Sequence, residues 1–333
     1  KLVQKKEKNK KQESLCFNVE QIRRKTKINL RDGRNMKPIS DDIDFLKFAG
    51  VQESQYIEPT KTFSNEVKER FSHGFEVRGE KLPWHKSHDK VGLRPGEVSI
   101  WAGINGHGKS LVLGQVLLFM PRDVKCLIAS LEMKPAATLE RMCRQSLGGG
   151  VPTDFYVDEF MEKTDNIYIY DQVDTVQPER ILGMCHYAAK ELGINHIMID
   201  SLMKCGISPE DYPRQKEFVD RLCWVAKSEN IHIHLVHHIR KGSNEGEQPD
   251  KFDIKGAGEI TDLVDNVFIV HRNKSKEQKL QNNQTVEPYE PDETLRVAKQ
   301  RHGEWEGIFK FWFHQPSTQF VGSSESMAIR WRQ

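Results

Sequence analysis

Between Glu97 and Arg272 the chain reads as a series of short, nearly unbroken apolar runs: VSIWAG (98–103), VKCLIASLEM (124–133), NIYIYD (166–171), NHIMID (195–200), IHIHLVHH (231–238) and NVFIVHR (266–272). Runs of this length, rich in β-branched residues, predict strands buried on both faces. The segments between them carry apolar residues three and four apart, which is the helical period. One helix follows the first run through Met120, and another can begin with Pro135 as its first residue. A third spans PERILGMCHYAAKELG, with Pro178 at its start and Gly193 at its end, and a fourth is RQKEFVDRLCWVAKSEN. This alternation predicts an α/β fold with a parallel sheet covered by helices on both faces. The pattern then changes, with TLRVAKQ and GIFKFWFH flanking RHGEWE as a β-hairpin. Ahead of Glu97, SDDIDFLKFAG predicts a short helix capped by Ser40 and stopped by Gly50, and a second helix is expected at about 62–73. Residues 150–165 and the polar stretch 273–293 predict no element.

Charge divides the chain. Residues 1–40 hold 13 Lys or Arg against 4 Asp or Glu, which leaves 37 against 44 for residues 41–333, although the net charge is only +2. The opening KLVQKKEKNKKQ has too few apolar residues to repay ordering and is expected to be a partly disordered basic arm. It lacks the apolar core of a secretory signal. The domain reading is therefore a basic arm at 1–40, a helical linker or oligomerisation segment at 41–75, and the α/β domain at 76–333. The chain opens on Lys1 rather than Met and is expected to be part of a longer product. Six cysteines without any CxxC pair indicate neither a zinc module nor a disulfide framework, so a reducing compartment is expected, and no apolar run is long enough for a membrane span.

Gly103, Ile104, Asn105, Gly106, His107, Gly108, Lys109 and Ser110 spell G-x-x-x-x-G-K-S between a predicted strand and a predicted helix. Glycines let backbone N–H groups wrap a phosphate, Lys109 can neutralise β and γ oxygens, and Ser110 can ligate Mg²⁺. A triphosphatase also needs a carboxylate for the magnesium shell, and Asp200 leaves the carboxyl end of NHIMID on the same sheet edge. Alone, Asp200 reads equally as a cap of the next turn. Glu132 in ASLEM borders the same crevice, where it could polarise an attacking water; the alternative is a solvated strand-end glutamate.

GEVSIWAGINGHGKS, SLEM, IMIDS, LVHHIRKG with KGAGEITDLVDNVFIVHRN, and RVAKQRHGEWEG follow one another in an order that resembles the RecA-fold motor of the DnaB-like replicative ring helicases. The resemblance is to the branch of phage primase-helicases and the mitochondrial helicase Twinkle, and it runs from about Arg78 to Val321. It implies a motor using ATP or another NTP with Mg²⁺, working as a homo-oligomer, a hexameric ring, on single-stranded DNA or a forked duplex. A primase or a loader is the implied further partner. The expected location is the cytoplasm of a bacterial or phage-infected cell, with the mitochondrial matrix as the alternative. Competing functions are a RecA- or KaiC-like ATPase that does not unwind and a nucleotide-gated loader module.

By the same resemblance Glu132 is the catalytic base, Lys109 and Ser110 bind phosphate and Mg²⁺, and Asp200 is the second metal carboxylate. His238 takes the place of a polar sensor of the γ-phosphate. Lys299 and Arg301 match paired basic residues that reach a neighbour's nucleotide, Arg301 as an arginine finger. Phe311 lies where the family sets an aromatic against adenine, although FKFWF reads alone as hairpin core. RKGSNEGEQPDKFDIKG is expected to line the central channel, with Arg240, Lys241, Lys251 and Lys255 contacting DNA phosphates; Glu245, Glu247, Asp250 and Asp253 offset those charges. His232 and His234 share a strand face with His238 and are expected to be hydrogen-bonded core histidines, since no further ligand spacing supports a metal; His237 carries no assignment.

Overall fold

The computed structural model describes residues 58–72, 77–239, 249–254 and 257–331. The predicted helix at SDDIDFLKFAG lies outside the described residues. The chain divides into two units, Lys1–Gly74 and Phe75–Gln333. In the first, a 3₁₀ turn at Thr60–Phe63 leads into α1 (Ser64–Ser72).

The second unit is one nine-stranded sheet with its helices. Its strands are β1 (Val98–Gly103), β2 (Cys126–Ser130), β3 (Ile167–Ile169), β4 (His196–Asp200), β5 (His232–His238), β6 (Asn266–Arg272), β7 (Glu293–Gln300), β8 (Gly307–His314) and β9 (Gln319–Val321). Its helices are α2 (Lys109–Leu118), α3 (Pro135–Leu147), α4 (Asp154–Lys163), α5 (Pro178–Leu192), α6 (Tyr212–Glu229), α7 (Ala257–Leu263) and α8 (Lys274–Gln281). The order across the sheet is β3-β2-β4-β5-β1-β6-β7-β8-β9. From β3 through β6 the pairing is parallel, and β7, β8 and β9 are added antiparallel.

The strand period explains the two cores. In β1, Val98, Ile100 and Ala102 face a layer with α5 and α6, while Trp101 faces the α2 side. In β6, Val267 and Ile269 join the first layer and Phe268 and Val270 the second. With both faces covered, a strand needs no polar positions, hence the continuous apolar runs. β1 lies between β5 and β6, so the segment leaving its carboxyl end emerges mid-sheet, where open α/β sheets bind ligands.

Three helices, α4, α7 and α8, stand where the sequence predicted none. Thr153 caps α4, its hydroxyl oxygen accepting a 3.2 Å bond from the Tyr156 N–H, and Phe160 is buried against Trp331. Asn273 caps α8, accepting from the Lys276 N–H at 3.0 Å. Replacing Thr153 with Ala leaves that amide without its partner and is expected to lower stability by about 1 kcal/mol. Urea unfolding checks this, and an unchanged midpoint would show that the packing of Phe160 and Tyr156 holds α4 without the cap.

Candidate nucleotide site

The phosphate loop turns from β1 into α2. Gly108, at the start of α2, has φ +75°, and a Cβ there would stand 3.4 Å from the Phe320 ring and 3.5 Å from Glu293 Oε1. A side chain at Gly103 would meet Val270 O at 2.5 Å, so both glycines are required by backbone shape or space. Lys109 is buried, and its Nζ donates to Gly103 O at 2.9 Å and Ile104 O at 3.0 Å. Burial lowers its pKa, while Asp200, Glu132 and Glu293 act in the other direction.

Parallel pairing then assembles the carboxylates. β4 lies beside β2 with Asp200 opposite Ser130, which sets Glu132 two residues beyond the same edge. Ser110 Oγ donates to Asp200 Oδ2, an oxygen pair suited to a hard cation. Burial raises the Asp200 carboxyl, with Ser110's bond opposing and the Glu132 charge adding to the rise. β5 runs beside β1 with His238 opposite Gly103, so the histidine predicted as sensor stands at the root of the phosphate loop. His238 Nε2 is 3.9 Å from Glu132 Oε1, longer than a formed hydrogen bond, and Ser201 Oγ donates to the same oxygen at 2.8 Å. These two contacts, His238 first, outweigh partial burial and hold the Glu132 carboxyl at about 2. Lys109, Ser110, Glu132, Asp200 and His238 therefore converge on one edge of the sheet.

The remaining predicted residues separate. Phe311 is fully buried, with its ring centroid 4.2 Å from that of Trp84 and Lys86 Nζ 4.6 Å above it. A ring without exposed area cannot stack on adenine, which corrects that expectation in favour of hairpin core. Lys299 Nζ donates to Thr261 O at 2.7 Å and Asp262 O at 3.0 Å. Arg301 Nη2 donates to Asp262 O at 3.0 Å and Leu263 O at 2.9 Å, and its Nε pairs with Asp265 Oδ1 at 3.2 Å. In the single chain both cations hold the carboxyl end of α7, where the helix dipole and free carbonyls favour them. Lys251 lies in a 3₁₀ turn, Lys251–Asp253, closed by an Asp250/Asp253 capping box. Arg240, Lys241 and Lys255 lie outside the described residues.

The strand histidines form a buried network. His232 contacts Ser99 Oγ at 2.8 Å and Arg94 O at 2.6 Å, and His234 Nδ1 accepts from Trp101 Nε1 at 3.1 Å. His234 Nε2 is 3.1 Å from Nδ1 of His196, a third member that the sequence did not reveal. Their ring nitrogens serve one another and the core. Burial lowers all three pKa values, His232 to about 4, which favours neutral rings.

His271, Arg272 and Glu293 flank the loop without having been expected. His107 Nδ1 accepts from the Arg272 N–H at 3.1 Å, and its ring lies 5.3 Å from that of His271. Burial, then His271 and nearby cations, lower His107 to about 4. Glu293, at the start of β7, is buried beside Gly108, and that burial raises its carboxyl well above the usual range. The signal was available only in the pairing of β6 with β7, which brings Arg272 opposite Glu293.

Comparison with known proteins adds an independent finding. The family model for the DnaB-like helicase C terminal domain matches residues 87–322. A DNA helicase/primase of Enterobacteria phage T3 is 26% identical over 208 residues, which cover 55% of this chain and 37% of that protein. The chain thus spans little more than a third of that relative's length. Among solved structures, an isolated ATPase domain superposes with a TM-score of 0.67 at 15% identity, covering 79% of this chain and 98% of that one. A DnaB-like replicative helicase, studied with its interactions with primase, gives 0.66 at 15% identity, covering 83% and 71%. At such identity the superpositions show the fold: a RecA-like α/β domain with a central parallel sheet. No helix among the described residues is long and apolar enough to cross a membrane.

Proposed function

Since the chain belongs to the DnaB-like helicase C-terminal domain family, we propose that it is the ATP-hydrolysing motor of a replicative DNA helicase, moving along single-stranded DNA as a homo-oligomeric, hexameric ring. One observation carries this: the phosphate loop, both carboxylates and His238 meet at one sheet edge, and the strand bearing His238 continues directly into residues 240–256. A change at the γ-phosphate is thereby one residue away from the segment proposed to hold DNA. The domain comprises residues 76–333, with the basic arm and helical linker before it. A primase or loader and a bacterial or phage-infected cytoplasm complete the reading.

In that mechanism, the backbone N–H groups of Gly106 to Ser110 wrap the phosphates and Lys109 Nζ exchanges its loop carbonyls for β and γ oxygens. Ser110 and Asp200 would hold Mg²⁺, Asp200 through water, and the ion would supply positive charge to offset that of the phosphates. Glu132 orients the attacking water. His238, touching Glu132, reports the γ-phosphate to the DNA segment. Lys299 and Arg301 would leave the carbonyls of α7 for the nucleotide of an adjacent protomer, so that hydrolysis depends on assembly.

Strand displacement from a forked duplex tests the reading. The wild-type chain is expected to release the strand in an ATP-dependent manner, and Lys109→Ala is expected to release none, because the phosphates lose their principal counter-charge. Hydrolysis without displacement would favour a non-unwinding ATPase, and negligible turnover would favour a loader or adaptor.

A further inference from the structure

Phe252 is the most exposed aromatic ring after Phe71 among the described residues and sits beside Lys251 on the capped turn that ends the segment leaving the sensor strand. The turn is anchored, not loose: Ile239 and Ile254 bridge across its base, both buried, and the capping box fixes Asp250 and Asp253. Between this turn and the hairpin opens a cleft of 430 Å³ whose lining includes Asp250, Lys251, Phe252, Arg296, Glu306 and Ile308. Arg296 projects from β7, between Ile269 of β6 and Ile308 of β8, and its buried Nε has no hydrogen-bond partner among the described residues. A buried Nε without a partner is costly unless an acceptor reaches it.

We propose that this cleft takes one nucleotide of the single-stranded DNA, its phosphate on Arg296 and Lys251 and its base stacked on Phe252. The inference rests on the motor reading and deepens it, because it adds a base-stacking contact to a segment otherwise expected to grip only phosphates. The volume lies within the range of small-ligand sites. The chemistry separates DNA from an acidic protein segment: a protein carboxylate would satisfy Arg296 yet leave the exposed ring unused, whereas every base offers a π-face. Asp250 accepts from the Lys251 N–H in the capping box and keeps its charge, so Arg296 and Lys251 must outweigh its repulsion of the phosphate. Glu306 is the other acid of the lining, and it can accept from a base N–H.

Binding of a fluorescent oligothymidylate and of an abasic oligomer with the same phosphates tests this on the full chain with a nonhydrolysable ATP analogue. Phe252→Ala is expected to weaken the base-containing strand roughly tenfold with its salt slope unchanged, to leave the abasic strand unaffected, and to be rescued by Phe252→Tyr. Arg296→Gln is expected to weaken both strands and to reduce the salt slope by about one. Phe252 is exposed, so its variants should fold, which thermal unfolding verifies. Equal effects of Phe252→Ala on both strands would overturn the stacking. Unchanged DNA affinity with an altered sedimentation coefficient would overturn the site and assign the cleft to a second copy of the chain. Failure of the wild-type chain to bind either strand would instead overturn the motor reading beneath it.

Discussion

Glu132→Gln is expected to bind nucleotide as the wild-type chain does and to hydrolyse it at least ~10²-fold more slowly. The amide is nearly isosteric and keeps an oxygen for the Ser201 hydroxyl, which now donates at 2.8 Å to the carboxylate. What it loses is the charge. That charge also raises the Asp200 carboxyl, so its removal favours the ionised form of Asp200. Equilibrium binding of a fluorescent nucleotide and single-turnover hydrolysis separate the two effects. Loss of binding together with turnover would make Glu132 a structural residue.

The same contacts set a pH signature. Glu132 is held at about 2, below its ordinary 4.5, by His238 first and Ser201 second. A depressed carboxyl stays ionised as pH falls, until the pH approaches that lowered value. At pH 5 only roughly one molecule in a thousand would carry the proton, by the logarithmic relation between pKa and occupancy. Glu132 should therefore contribute no acid limb to the hydrolysis profile above about pH 4. A carboxylate so easily ionised is a weak base, and in the proposed mechanism it would orient water more than draw off a full proton.

Legibility in the sequence followed the physics of burial. The central strands were readable because burial on both faces leaves only apolar residues, and the phosphate loop because its chemistry is local: Gly103 to Ser110 are contiguous. Asp200 and Glu132 were readable as strand ends, since parallel strands present their carboxyl ends on one edge. The polar helix α8 was not. Its residues KSKEQKLQ carry one leucine, itself exposed, and it is held by the Asn273 cap and the Lys276–Asp292 and Lys279–Glu290 ion pairs. Glu293 was hidden for a related reason. Its proximity to Gly108 arises from a strand pairing between distant segments, which no local pattern encodes. In FKFWF the composition could not tell which ring faces outward; pairing with β7 turns Phe309 and Phe311 into the core and leaves Phe313 partly exposed.

Arg301→Ala is expected to bind nucleotide at its own intact phosphate loop and to hydrolyse it about 10³-fold more slowly or worse, as for loss of an arginine finger. The single chain supplies a competing explanation. Arg301 also caps α7 and neutralises Asp265, a buried carboxylate whose second oxygen accepts from the Val98 N–H at 3.0 Å. Losing the arginine could therefore loosen α7 without any finger. Subunit mixing distinguishes the two. Lys109→Ala is expected to be inactive yet to present an intact Arg301, and Arg301→Ala to keep a working loop. Random exchange in equal amounts pairs a good loop with a good finger at roughly one interface in four, so activity should return on mixing if the finger acts in trans. A purely structural arginine cannot be supplied by a neighbour, because a misfolded α7 stays misfolded in its own chain. With exchange verified by a fluorescent label, continued inactivity would confine Arg301 to its own subunit. Recovery would mean that the hydrogen bonds to Asp262 and Leu263 are a resting position, given up when a neighbour's nucleotide offers the guanidinium a stronger charge.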